Sequence, residues 1–294
     1  MKIIGTGLSG LVGSRLTQLF GTEHQFIDFS LEANVDILDY STLSENFARH
    51  AKDTAAVIHL AAFTDTNQAW EQRGDKQGLC YRLNVTGTKH LVDLCQKYQK
   101  YLVYISTDSV FDGEKETAYT ETDLPSPLDW YGATKKMGED LVSTLPSHAI
   151  TRISFPYRAH FDRKKDLIRK IIDGFKIKKL NPFFTDQTIT PTFIDDLAPA
   201  FLYFLKEKPQ GIYHLTGSTS LSPYHLAQEI AKTFDLDSSL IKPSSLKDYV
   251  ASQPPGSRPW QKSMIMSNHK AKTLGLNFST FPQGLQKLKN RLYS

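Results

Sequence analysis

Residues 2–20 read KIIGTGLSGLVGSRLTQLF, and this stretch decides the predicted fold. An apolar strand is predicted over Lys2–Thr6, glycines follow at Gly7, Gly10 and Gly13, and a helix is predicted over Leu11–Leu19. Glycine suits a backbone that turns tightly, approaches a pyrophosphate and packs a helix against a strand. The spacing is a weak signal alone, but a strand before it and a helix after it predict a dinucleotide-binding turn.

An acidic residue, Asp28, closes the second predicted strand about twenty residues further on, where a dinucleotide fold places a ribose ligand. A carboxylate there accepts from the ribose hydroxyls and repels a 2′-phosphate. Phe29 and Ser30 add no compensating cation, so the sequence favours NAD(H) over NADP(H). Two alternatives stay open: Asp28 is an ordinary strand-end residue, or Arg15 folds back onto a phosphate.

Further apolar runs alternate with helical patterns through the first half of the chain. The runs lie at Ala55–Leu60, Tyr101–Ser106 and Ala149–Ser154, and Val85–Tyr98 is amphipathic between two of them. Strands without polar alternation, separated by helices, indicate parallel strands covered on both faces. The predicted fold class is therefore α/β, a Rossmann-type doubly wound parallel sheet.

Prolines break this regularity after about Phe155, and a helix and a strand return at Asp195–Lys206 and Gly211–Gly217. We therefore predict a dinucleotide-binding Rossmann domain from residues 1–155 plus about 195–218. A smaller, discontinuous α/β substrate-binding domain is predicted from about 156–194 plus 219–294.

Composition excludes several classes of protein. The 294 residues carry a net charge of +4, which is too small for a dedicated nucleic-acid binder. The longest apolar stretch, Ala55–Phe63, is too short to span a membrane. Cys80 and Cys95 form neither a disulfide framework nor a zinc pattern, and no targeting segment is recognised, so we expect a cytoplasmic protein with reduced thiols.

A tyrosine and a lysine, Tyr131 and Lys135, lie one helical turn apart. An ammonium beside a phenol stabilises the phenolate and lowers its pKa, which gives an acid–base group. One such pair is expected by chance, so its position in the chain decides its significance. Thr107 follows the strand run Tyr101–Ser106, at the carboxyl end where parallel sheets of this kind place their catalytic groups. A hydroxyl there can polarise a carbonyl oxygen. A strand-end Thr107 bonded only to backbone is the alternative.

The motifs taken together resemble the extended short-chain dehydrogenase/reductases, and within them the dTDP-4-dehydrorhamnose reductases. The resemblance covers nearly the whole chain. Besides the glycine turn it rests on Ser106–Gly113, Pro127-Leu128, Tyr131-Gly132, Lys135, Gly138-Glu139, Asp186-Gln187, Pro191-Thr192, Gly211–Leu215, Arg258-Pro259 and Leu274–Leu276.

The resemblance implies NAD(P)H-dependent reduction of the 4-keto group of a nucleotide-linked 6-deoxysugar, a step of carbohydrate biosynthesis. It makes Tyr131 the proton donor, Lys135 its partner and a ligand of the nicotinamide ribose, and Thr107 the hydroxyl on the substrate. Asp108 and Phe155 are implied at the sugar. The remaining residues implied along the cofactor are Leu11, Val12, Asp36, Ile37, Ala61, Ala62 and Phe63.

Several departures from the family pattern bear on the substrate. Ser109 stands where an aromatic is usual, and Phe155 stands where tryptophan is usual. Arg15 occupies a position that is an acidic metal contact in some relatives, so no metal is expected. The charged stretch Trp70–Lys76 is longer than expected for the family. These changes leave the identity of the sugar open.

Other functions stay open. Ser109 argues against a dehydratase, which places an acidic residue there, but a nucleotide-sugar epimerase needs only the Tyr/Lys pair. A non-catalytic regulatory subunit resembling the methionine adenosyltransferase beta subunit also fits, because fold does not fix function. A homodimer is an open expectation; nucleic-acid and membrane partners are not expected.

A basic segment at Arg158–Lys179 has apolar residues at helical spacing. It predicts an amphipathic helix with a solvated basic face. The alternative is that Arg163 and Arg169 bind a nucleotide diphosphate.

Overall fold

The computed structural model describes residues 1–21 and 24–293. Strands are numbered β1 to β10 in chain order: Lys2–Thr6, Gln25–Phe29, Thr54–His59, Tyr101–Thr107, His148–Ile153, Pro156–Tyr157, Phe183–Phe184, Thr192–Phe193, Gly211–His214 and Pro243–Ser244. Helices α1 to α12 span Gly13–Phe20, Tyr40–Ala51, Thr66–Glu71, Leu79–Tyr81, Thr88–Lys97, Trp130–Ser143, Leu167–Lys176, Leu197–Glu207, Pro223–Phe234, Leu246–Ala251, His269–Thr273 and Phe281–Leu292. A π-helical segment, Arg82–Gly87, leads into α5.

The chain divides into two compact units. Unit 1 comprises Met1–Phe111, Leu124–Arg152 and Leu197–Tyr213. Unit 2 comprises Asp112–Asp123, Ile153–Asp196 and His214–Ser294. The segment Asp112–Asp123 is a part of unit 2 that no sequence pattern indicated.

Unit 1 is built on a six-stranded parallel sheet in the order β2-β1-β3-β4-β5-β9. β1 pairs with β2 on one side and with β3 on the other, so the strand order reverses at β1. Doubly wound sheets bind their ligands at such a reversal, beyond the carboxyl ends of the strands. The predicted fold class is confirmed, and the late strand β9 joins the sheet beside β5.

The core of unit 1 follows from the alternation of side chains along the strands. Ile4, Val57 and Leu102 are fully buried in one cluster with apolar residues of α2, α5 and α6. On α2, Leu43 and Phe47 supply the apolar stripe at helical spacing. Burial of this kind stabilises the fold by about 1.5–3 kcal/mol for each large apolar side chain.

Unit 2 has its own apolar core. Its buried cluster takes residues from α7, α9 and α12, including Ile171, Ile230 and Leu285. Two short parallel pairs, β6 with β8 and β7 with β10, complete it.

The predicted basic helix forms α7, which begins at Leu167 after an N-cap from Asp166. Arg169 is buried there: its Nε donates to Asp166 Oδ2 over 2.7 Å, and its Nη atoms donate to the carbonyls of Phe161 and Lys164 over 2.8 and 2.9 Å. The structure therefore gives Arg169 a structural role and argues against it as a diphosphate contact. Among the helices of the described chain, none is long and apolar enough to cross a membrane.

Candidate active site

Backbone atoms lie against two glycines of the turn between β1 and α1. Gly7 has a φ of +65°, and a Cβ there would lie 2.5 Å from the backbone nitrogen of Ala61. A Cβ at Gly13 would overlap the carbonyl oxygen of Gly7. The turn therefore requires glycine at both positions, and it lies where the strand order reverses.

The predicted helix start is two residues too early. Leu11 and Val12 belong to the turn, α1 begins at Gly13, and no side chain caps it. A helix N-terminus directs backbone N–H groups and a partial positive charge outward, so this turn suits a pyrophosphate. Both features fit a dinucleotide.

Asp28 lies on β2, next to β1. Its Oδ2 accepts from the Ser30 hydroxyl over 3.0 Å, whereas its Oδ1 is buried and has no hydrogen-bond partner. A buried carboxylate oxygen without a donor is costly unless a ligand supplies one. This orphan oxygen fits the ribose hydroxyl of a dinucleotide.

Two further predicted cofactor positions follow β2. Asp36 is half-buried, and its Oδ1 accepts from the backbone nitrogen of Leu38 over 2.9 Å. The side chain of Ile37 is buried in the core, against the position where a Cβ of Gly87 would lie. Any adenine contact by Ile37 therefore falls to its backbone.

Ala61, Ala62 and Phe63 are half-buried in the loop after β3. Asn84 holds this loop: its Oδ1 accepts from the Phe63 nitrogen over 2.8 Å, and its Nδ2 donates to Thr134 Oγ1 over 2.9 Å on α6. Asn84 thus links the predicted cofactor loop to the helix of the Tyr/Lys pair. Sequence reasoning missed it, because a lone asparagine inside a helical pattern carries no signal.

Tyr131 and Thr107 are brought together by the structure. Asp129 caps α6 by accepting from the Gly132 nitrogen over 2.8 Å, and a Cβ at Gly132 would overlap the carbonyl oxygen of Ser109. The first turn of α6 therefore lies directly against the end of β4. There the Thr107 hydroxyl lies close enough to the Tyr131 hydroxyl to affect its pKa.

Thr107 also makes the backbone contact of the alternative interpretation. Its Oγ1 accepts from the Ser109 nitrogen over 3.2 Å and donates to Asp108 Oδ1 over 3.0 Å. Asp108, predicted near the sugar, is buried. Thr107 is thus a strand-end cap that also lies next to the Tyr131 hydroxyl.

Lys135 lies one turn beyond Tyr131, buried on the inner face of α6. Its Nζ donates to the Tyr104 hydroxyl and to the Ile105 carbonyl, both over 2.7 Å. Burial lowers the pKa of Lys135 to about 7, opposed by the negative charge of Glu139. The bonded partners of this ammonium are therefore on β4.

The pKa of Tyr131 differs from the sequence expectation. Burial raises it above its usual value, the nearby Thr107 hydroxyl lowers it, and the charges of Asp108 and Asp129 raise it further. Loss of hydration outweighs those contacts that favour the phenolate. In this structure Tyr131 is a phenol that carries its proton, which is the form that a proton donor needs.

The remaining predicted residue, Phe155, lies in unit 2 and has a φ of +39°, in the region that favours glycine. Its carbonyl accepts from the Thr192 nitrogen over 3.2 Å. Cys80 and Cys95 are free and buried thiols. Over residues 1–21 and 24–293, no group of three or more His, Cys, Asp or Glu side chains could hold a metal ion.

The parallel sheet, the glycine turn at its strand reversal and the tyrosine at the end of β4 define a Rossmann-like α/β protein. A family model described as RmlD substrate binding domain matches residues 1–294, and the chain belongs to this family. The predicted resemblance is confirmed.

Individual relatives cover almost the whole chain. One named probable low-salt glycan biosynthesis reductase, from Haloferax volcanii, is 28% identical over 97% of this chain and 96% of its own. A dTDP-4-dehydrorhamnose reductase from Mycobacterium tuberculosis is 28% identical over 83% of this chain and 79% of its own. A solved structure described as dTDP-4-dehydrorhamnose reductase from Bacillus anthracis in complex with NADP has a TM-score of 0.88 at 25% identity, covering 99% of both chains.

Proposed function

We propose that the protein is an oxidoreductase of the extended short-chain dehydrogenase/reductase type that reduces the 4-keto group of a nucleotide-linked 6-deoxysugar. The observation that carries the proposal is the proximity of the Tyr131 and Thr107 hydroxyls at the carboxyl end of β4. The glycine turn lies at the strand reversal of the same sheet. The names of the relatives support this substrate class.

The reaction needs a hydride and a proton, and a bound nicotinamide supplies the hydride to the keto carbon. Tyr131 donates its hydroxyl proton to the keto oxygen as negative charge develops there. Thr107 turns its hydroxyl proton from Asp108 Oδ1 to the same oxygen and orients it. The Lys135 ammonium stabilises the phenolate that Tyr131 becomes, which offsets the effect of burial on its pKa.

Unit 1 holds the dinucleotide in this proposal. The turn residues bind the pyrophosphate. Asp28 and Asp36 are assigned to the adenosine, and Lys135 is assigned to the nicotinamide ribose. The full set is Gly7, Gly10, Leu11, Val12, Gly13, Asp28, Asp36, Ile37, Ala61, Ala62, Phe63, Tyr131 and Lys135.

NADH is the proposed preferred cofactor. The buried, unpartnered Oδ1 of Asp28 supports this preference, because it accepts from a ribose hydroxyl and repels a 2′-phosphate. The Bacillus anthracis relative was solved with NADP, so the preference rests on Asp28 alone.

The sugar is assigned to Thr107 and Asp108 of unit 1, and the contact with Phe155 that the resemblance implies stays a prediction. The positive φ of Phe155 supports this role, because strained backbone is retained mainly where function requires it. We also propose a cytoplasmic location. We propose a homodimer as well, and light scattering at several protein concentrations tests the oligomeric state.

The decisive assay follows the absorbance of reduced nicotinamide with dTDP-4-keto-6-deoxyglucose and with its 3,5-epimer, each offered with NADH and NADPH. A reductase oxidises one equivalent of cofactor per sugar, and mass spectrometry finds a product two mass units heavier. An epimerase interconverts sugars without net oxidation. Cofactor binding with neither reaction, together with a co-purifying larger enzyme, indicates a regulatory subunit and contradicts the proposal.

A further inference from the structure

We propose that Tyr104, which lies outside the predicted site, is a positioning residue that fixes the ammonium of Lys135 for the reaction at Tyr131. Tyr104 Oη accepts from Lys135 Nζ over 2.7 Å, and the same Nζ lies 4.0 Å from the centre of the Tyr104 ring. The kinetic consequence rests on the proposed reductase function. The contact itself can be tested on the protein without substrate.

An ammonium has three N–H donors and no acceptor. Tyr104 Oη and the Ile105 carbonyl take two of the three donors of Lys135, both from β4. These two bonds fix the direction of the third N–H. One N–H is then left to donate to Tyr131 or to a bound dinucleotide, so β4 restricts where the lysine can donate.

A buried chain of polar groups lies beside the Tyr104 hydroxyl. The Thr88 side chain is close enough to Tyr104 to oppose the effect of burial on its pKa, and Thr88 Oγ1 donates to the Asn84 carbonyl over 2.8 Å. Because the Thr88 proton is used in this way, Thr88 Oγ1 accepts from His59 Nε2, 3.0 Å away. Tyr104 itself presents a lone pair to Lys135, since an ammonium only donates.

His59 completes this arrangement. With its proton on Nε2, its Nδ1 accepts from the Thr6 hydroxyl over 2.7 Å. Thr6 Oγ1 in turn accepts from the nitrogens of Leu60 and Ala61, each over 3.2 Å. Each donor in the chain therefore has an acceptor, which fixes one hydrogen-bonding pattern from Thr6 to Asn84 beside Tyr104.

Gly138 on α6 leaves the room that this arrangement needs. A Cβ at Gly138 would overlap the Tyr104 hydroxyl, so the glycine lets the phenol reach Lys135. Burial raises the pKa of Tyr104 well above its usual value, so it stays a neutral phenol. It is thus suited to hold Lys135 and unsuited to act as a second acid.

Charged and titratable groups face Lys135 from several elements. Glu139 on α6 and Cys80 on α4 favour its charged form, and burial opposes it. His59 on β3 is neutral, since burial and the charge of Lys135 lower its pKa to about 3. Removing the Tyr104 hydroxyl leaves these groups in place and takes away one acceptor, so the charged form of Lys135 becomes less stable.

The test compares Tyr104→Phe with Tyr101→Phe. Tyr101 is a buried tyrosine on the same strand, and its hydroxyl donates to the Pro209 carbonyl over 2.7 Å, away from the charged groups. Urea unfolding is measured from pH 5.5 to 9.5. If Tyr104 stabilises the lysine cation, Tyr104→Phe destabilises the protein more at low pH than at high pH. The difference is about tenfold in the unfolding constant. Tyr101→Phe destabilises the protein equally at every pH.

A Lys135→Met background gives the second arm. There Tyr104→Phe loses its pH dependence, because no cation remains to be held. Thr88→Val, which removes the hydroxyl beside Tyr104, gives a smaller effect of the same sign and serves if Tyr104→Phe does not fold. Two results overturn the proposal. One is that Tyr104→Phe and Tyr101→Phe show the same pH dependence of unfolding. The other is that the pH dependence of Tyr104→Phe persists in the Lys135→Met background.

The kinetic arm uses the pH profile of kcat. Loss of the Tyr104 acceptor moves the alkaline limb, where Lys135 loses its proton, to lower pH by about one unit, while KM for the sugar changes less than twofold. A lower kcat with an unshifted limb means a purely structural hydroxyl and contradicts the proposal. If no substrate is turned over at all, the reductase function fails while the unfolding arms still decide the role of Tyr104.

Discussion

Arg152 and Glu139 form a buried ion pair between β5 and α6 in unit 1. Arg152 Nε donates to Glu139 Oε1 over 2.8 Å, and its Nη2 donates to Oε2 over 2.7 Å. Glu139 lies one turn beyond Lys135, which is itself bonded to β4. The helix that carries Tyr131 is thus held to two neighbouring strands by buried charged groups.

Arg152→Met leaves Glu139 buried without its partner, so we expect a loss of about 3–5 kcal/mol in the free energy of unfolding. The exposed pair of Lys2 and Asp53 is the control, and Lys2→Met is expected to cost about 0–1 kcal/mol. Urea titration measures both. A double variant, Arg152→Met with Glu139→Leu, regains most of the lost free energy of unfolding. If Arg152→Met and Lys2→Met lose similar amounts, the role given to the buried pair is contradicted.

Asp28→Asn removes the charge that repels a 2′-phosphate. We expect the ratio of NADPH to NADH affinity to rise about tenfold, which corresponds to about 1.4 kcal/mol. Fluorescence titration with each cofactor measures it, with Asp39→Asn, at the start of α2, as the control. An unchanged ratio in the Asp28 variant means that this carboxylate does not select the cofactor.

Gly7→Ala places a Cβ against the backbone of Ala61 in a left-handed conformation. We expect a stability loss above the ~1 kcal/mol of backbone strain alone, and a loss of dinucleotide binding. Gly21→Ala is the matched control, since Gly21 has a φ of +56° with nothing within 4 Å of the added Cβ. Thermal unfolding and cofactor titration separate the two variants; equal behaviour contradicts the close approach at Gly7.

His59 gives a pH dependence with a definite sign. Burial lowers its pKa to about 3 from an ordinary value of 6.5, so its contribution to stability is complete above pH 6.5 and is lost as the pH falls toward 3. In that window unfolding takes up about one proton, a slope of ~1.4 kcal/mol per pH unit. His59→Gln flattens the slope, and unfolding at pH 4 to 7 measures it. An unchanged slope means that His59 does not set the acid sensitivity.

Much of unit 1 follows from sequence because its signals are local. The strand Lys2–Thr6 is found as predicted, and apolar runs locate β3, β4 and β5 within one or two residues. The start of α1 is misplaced, because Leu11 and Val12 continue the apolar period while the backbone is still turning.

The candidate site is predicted only in part from the sequence, for a different reason. Tyr131 and Lys135 stand in a recognisable motif, but Tyr104 is hidden in an apolar strand and Asn84 in a helical pattern. Their roles depend on contacts between residues far apart in the chain. The direction of the Tyr131 pKa likewise depends on burial, which the spacing of two residues does not report.

The central claim is that Tyr131 donates the proton, and Tyr131→Phe tests it most directly. Turnover and cofactor affinity are measured beside Tyr98→Phe, whose ring stacks on Phe47 at 5.4 Å in the core of unit 1. We expect Tyr131→Phe to bind reduced nicotinamide dinucleotide with an affinity within about twofold of wild type. Its kcat falls by at least ~100-fold, in line with general acid catalysis. Tyr98→Phe keeps wild-type turnover. A Tyr131→Phe variant that oxidises the cofactor at the wild-type rate contradicts the account.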